Sequence, residues 1–128
     1  DQLWWGRLMA FKTHLEAICS QVEGSVACSL MGVNGLPIDS HRVNDPELDL
    51  EGLWVEFSSL FGQLQRAAET MQGGSIKELA IHTDKLTTLV RMVNPDYFLA
   101  LALAPDGNVG KGRFALRIIA PQLLPELA

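Results

Sequence analysis

Asp96-Tyr97-Phe98-Leu99-Ala100-Leu101-Ala102-Leu103 is the stretch that decides how this chain folds. After Asp96 it holds seven residues without a charge, bracketed by Asn94-Pro95-Asp96 and by Ala104-Pro105-Asp106-Gly107. That length suits a strand better than a helix, and the turn residues at both ends agree. A strand with one wet face alternates apolar and polar side chains, and this one does not. It is expected inside a sheet that is covered on both faces.

Working outward from it, Leu86 to Val93 alternates like a strand, with Asn94-Pro95 turning the chain into the central strand. Lys77-Glu78-Leu79-Ala80-Ile81-His82-Thr83 reads as a half-buried strand joined to it through Asp84-Lys85. Upstream lies the longest apolar stripe, from Leu50, Leu53, Trp54 and Phe57 through Leu60, Phe61 and Leu64 to Ala68 and Met71. Its three- and four-residue intervals make a helix of about six turns, stopped at Gln72-Gly73-Gly74. Asp45 (with Pro46 at the first position) and Asp49 are equally good caps for its start.

Val26 to Met31 and Leu36 to His41 form a hairpin about Asn34-Gly35, and Pro37 confines the second strand to a sheet edge. Before them, Leu8, Phe11, Leu15, Ile18 and Val22 make one helical face, so a first helix is expected over about 3–23, with Gly24 ending it. After Gly107, a last helix is expected from about Asn108 to Ala120, kinked or broken at Pro121 and fading near Pro125.

Length and charge narrow the function. A chain of 128 residues, 48% hydrophobic and 20% charged, is read as one globular domain spanning 1–128. A net charge of -5 with scattered basic residues argues against nucleic acid or an anionic membrane as the main partner. No apolar run reaches the roughly 18 residues of a membrane span, and no signal peptide is recognised, so the cytoplasm is the expected location. Cys19 and Cys28 match no metal spacing and are read as free buried thiols.

The element order α-β-β-α-β-β-β-α gives an α+β domain with a five-stranded antiparallel sheet. Pairing the two uncharged strands in the middle gives the order 2-1-5-4-3. The terminal helices then cover one face and the long helix the other. The strand at 77–83 is left as an open edge, a liability unless something pairs with it.

In this combination the chain resembles a Roadblock / dynein light chain domain, the profilin-like fold of many small-GTPase regulators. The residues that carry the likeness are Leu15 to Val22 leading to Val26-Ala27, and Gly35-Leu36-Pro37-Ile38-Asp39-Ser40. The long helix, Tyr97 to Leu101, Asp106-Gly107-Asn108-Val109-Gly110 and Phe114-Ala115-Leu116-Arg117 complete it. Asn34, where an acidic residue is common, and the two prolines of the last helix depart from the pattern.

The resemblance implies a homodimer, or a heterodimer with a paralogue, through pairing of the third strand, with the two long helices side by side. Leu79, Ile81, His82 and Thr83 of the edge strand, with Val55, Ser59 and Gly62 of the long helix, would form that interface. It further implies a non-catalytic regulator or scaffold that binds a small Ras-like GTPase, stimulating GTP hydrolysis where it is an activator like the bacterial gliding protein MglB. An adaptor subunit of a motor, motility or signalling complex is the alternative. The outward polar residues Glu56, Gln63, Arg66 and Glu69 would meet the partner.

No reaction centre competes with this reading. Gly107-Asn108-Val109-Gly110-Lys111-Gly112 has two residues, not four, between its first glycine and Gly-Lys, and lacks the hydroxyl residue of a P-loop. His14, His41 and His82 fall on separate elements without metal spacing. Asp45, Glu47, Asp49 and Glu51 are explained by a helix start. Trp54 belongs to the core stripe, while Trp4-Trp5 either contact a partner or pack on the domain. No cofactor is expected, the dense apolar filling argues against a cavity for a small ligand, and the chain is not expected to be an enzyme.

Overall fold

The structure, a computed structural model, describes residues 2–43 and 49–127. Asp45, Pro46 and Glu47 lie outside the described residues, as do the side chains of Trp4 and Leu8. The elements are α1 (Gln2–Gln21), β1 (Ser25–Gly32), β2 (Pro37–Arg42), α2 (Leu50–Thr70), β3 (Glu78–His82), β4 (Thr87–Asn94), β5 (Tyr97–Leu103) and α3 (Val109–Leu127). The strands form one antiparallel sheet in the order β2-β1-β5-β4-β3.

β5 is the middle strand, and its alternation explains the two layers around it. Leu99, Leu101 and Leu103 point to the side of α1 and α3, where they meet Leu15, Ile18, Leu116 and Leu123. Phe98, Ala100 and Ala102 point to the side of α2. The small alanines are offset by large rings from α2: Trp54 is 1% exposed, and Phe61 stacks on Phe98 with ring centroids 6.0 Å apart. Each such ring contributes about 2–3 kcal/mol of burial, so α2 is held mainly by a few large anchors.

Local signals place the element ends. Gly24 (φ 85°) and Gly35 (φ 91°) take the left-handed backbone that a helix stop and an Asn-Gly hairpin require. Asp49 caps α2, its Oδ1 accepting from the Gly52 N–H at 3.0 Å, and Asn108 caps α3 by accepting from the Lys111 N–H. The glycine-rich loop after β5 is therefore a helix entry, tied back to Glu23 by the Asn108 N–H. Cys19 and Cys28 are free, buried and in contact across the α1–β1 packing; the hydrogen bond with Cys19 and burial together push the Cys28 thiol up.

Two expectations are corrected. α3 does not stop at Pro121 but continues through it and Pro125 to Leu127. Leu123 is fully buried and Leu127 packs against the same core, so tertiary burial outweighs the backbone hydrogen bond that each proline forfeits. The first helix ends at Gln21, two residues short of the expected limit, because the Val22 carbonyl accepts from the Ser25 N–H and Oγ to close a turn.

Candidate functional site

β3 is the edge strand on the far side of β4. The Met92 N–H donates to the Lys77 carbonyl and the Thr83 N–H to the Leu86 carbonyl. Hydrogen-bonded pairs alternate along an antiparallel ladder, so the odd-numbered residues of β3 spend their backbone groups on β4. Glu78, Ala80 and His82 turn theirs outward, and no strand among the described residues takes them up.

The side chains of β3 divide the other way, across its two faces. Leu79 packs under α2. Glu78 lies on the α3 side, where Arg91 reaches it from β4 at 3.2 Å and Arg113 from α3. The Arg113 hydrogen bond, aided by Arg91, holds the Glu78 carboxyl below its ordinary value of 4.5. His82 contacts Thr87 through Nδ1 at 3.0 Å, and Thr83 closes the β3–β4 turn, its Oγ1 accepting from the Leu86 N–H.

On α2, Val55 and Ser59 are exposed, and a Cβ on Gly62 would meet only the Arg66 guanidinium, at 3.7 Å. Nothing among the described residues therefore requires glycine at 62. Gly62, Arg66 and Glu69 line a groove of about 660 Å³ between the C-terminal half of α2 and the β4–β5 turn, with Phe61, Ile76 and Met92 as its apolar wall. Gln65 spans it, its Oε1 accepting from the Ile76 N–H at 2.9 Å. Dense filling was the expectation here; the groove is bounded by α2, by residues 75–77 and by the β4–β5 turn, elements that the letters of one helix do not bring together. Glu56 and Gln63 are exposed outside the groove.

Histidines, cysteines and carboxylates form no cluster able to hold a metal among the described residues. The exposed Trp5, at 63%, is not part of the core. No helix among the described residues is long and apolar enough to cross a membrane.

What the geometry contains is an edge and a helix face, on a fold that solved structures share. The fold matches MglC from Myxococcus xanthus at 49% identity, covering 91% of this chain and 98% of that one, with a TM-score of 0.65. The chain belongs to the Roadblock family, beside MglC. Other Roadblock structures share its fold at low identity. The Roadblock/LC7 domain from Streptomyces avermitilis matches at 16% identity over 90% of this chain and 95% of that one, TM-score 0.79. The gliding protein MglB from Thermus thermophilus matches at 14% over 96% and 90%, TM-score 0.82. No protein-family model and no curated protein matches the sequence.

Proposed function

We propose that this Roadblock domain is a non-catalytic regulator or scaffold that pairs through β3 and binds a small Ras-like GTPase across its α2 helices. The observation that carries the reading is the open β3 edge, with three backbone positions turned outward. Pairing with a second copy, or with a Roadblock paralogue, would satisfy the edge and bring two α2 helices together. Glu56, Gln63, Arg66 and Glu69 would then face the GTPase. The relatives support a place in a gliding system, since MglB of Thermus thermophilus is a gliding protein. The cytoplasm, where GTP-loaded partners are available, is the compartment this reading requires.

The test is calorimetric titration of the chain with a Ras-like GTPase loaded with GDP or with a non-hydrolysable GTP analogue. The expected result is binding that depends on the nucleotide and weakens about tenfold in Glu56→Lys or Arg66→Glu. Binding to neither form would reject the GTPase and leave the adaptor role. Faster release of phosphate from GTP in the mixture would add activation to binding.

A further inference from the structure

α3 carries apolar residues on both of its faces. Its inner stripe, Ala115, Leu116, Ala120 and Leu123, fills the core. On its outer face Phe114 and Ile118, one turn apart, are 55% and 47% exposed. Two adjacent large apolar side chains are thus left in water, and nothing in the described residues covers them. The charges beside it have one sign. Lys111, Arg113 and Arg117 are exposed, and from Val109 to Leu127 the only acid is Glu126. Arg113 is occupied by Glu78, whereas Arg117 lies over the Phe114 ring at 5.8 Å and has no carboxylate partner among the described residues. An aromatic with an arginine against it is the composition of an interface anchor.

We propose that the outer face of α3, centred on Phe114, Arg117 and Ile118, is a docking surface for an acidic amphipathic helix of a protein partner. Charge selects the occupant. A second copy meeting this face with its own α3 would set Lys111 and Arg117 against the same two cations, which is repulsive. An anionic membrane would attract the helix but repel a chain of net charge -5. A helix with an apolar stripe flanked by glutamates satisfies both the stripe and the free guanidinium. The face lies across the sheet from α2, so it is independent of the GTPase reading.

Fluorescence anisotropy of the full chain with a labelled helical peptide of about 18 residues, leucines on one stripe and glutamates beside it, tests this. Saturable binding is expected, weakened about tenfold by Arg117→Glu, largely kept by Arg117→Lys, and reduced by Ile118→Ala. These positions are exposed, and circular dichroism would confirm that the variants fold. Glu56→Lys on α2 should leave the peptide affinity unchanged, so failure here and failure of GTPase binding are separable. The proposal is overturned by no saturation at about 200 µM protein. It is equally overturned if a lysine version of the peptide binds as well, or if Arg117→Glu has no effect. Binding only to phosphatidylglycerol vesicles would assign the face to a membrane instead.

Discussion

Gly24 and Gly74 share nearly the same left-handed backbone, φ 85° and 82°, but not the same surroundings. A Cβ at Gly74 meets nothing within 4 Å, whereas one at Gly24 would lie 2.5 Å from the Gly107 Cα. Gly74→Ala should therefore cost only the conformational penalty of about 1 kcal/mol. Gly24→Ala must also push apart the α1–β1 and β5–α3 connections, and should cost about 2–4 kcal/mol. Urea denaturation of the two variants checks the ordering. Glu78 gives a pH-dependent prediction. Its folded pKa lies below the unfolded one, so its contribution is present above the ordinary value of 4.5 and is lost as the pH falls through the lowered folded value. The stability advantage of the wild type over Glu78→Gln should be measurable at neutral pH and shrink on acidification below 4.5. The effect will be small, because the side chain is 36% exposed and screened by water.

At the scale of elements, α3 shows where local rules yield. Proline chemistry alone stops the helix at Pro121, yet the buried Leu123 beyond it keeps the chain helical. Pro121 is exposed, so Pro121→Ala removes no core contact and restores a backbone donor for the Arg117 carbonyl. It should stabilise the fold by about 1–3 kcal/mol, read as a higher thermal midpoint. Trp54→Ala should do the opposite, costing about 3–5 kcal/mol, since the ring is a principal anchor of α2. β5 and the hairpin about Asn34-Gly35 were legible in the sequence, because an uncharged run between turn residues and a left-handed glycine each admit few conformations. The groove beside α2 was not, since it depends on how α2 sits against residues 75–77 and the β4–β5 turn, which is far from it in sequence. The outer stripe of α3 was present in the letters, but periodicity cannot say which of two apolar faces is buried.

For the whole molecule, the sheet order 2-1-5-4-3 followed from pairing the two uncharged strands, and it is what leaves β3 at an edge. The family assignment rests on the likeness to MglC, and the proposed pairing through β3 rests on that topology. Ala80 is the residue that isolates the edge: its backbone N–H faces outward and does not serve β4, so Ala80→Pro removes a donor needed by a pairing strand while sparing the β3–β4 ladder. Light scattering of the purified chain over a range of concentrations is the most direct measurement. A mass of twice 14.0 kDa is expected for the wild type and a folded monomer for Ala80→Pro. A wild-type monomer at every concentration, or an Ala80→Pro variant that stays dimeric, would contradict pairing through β3.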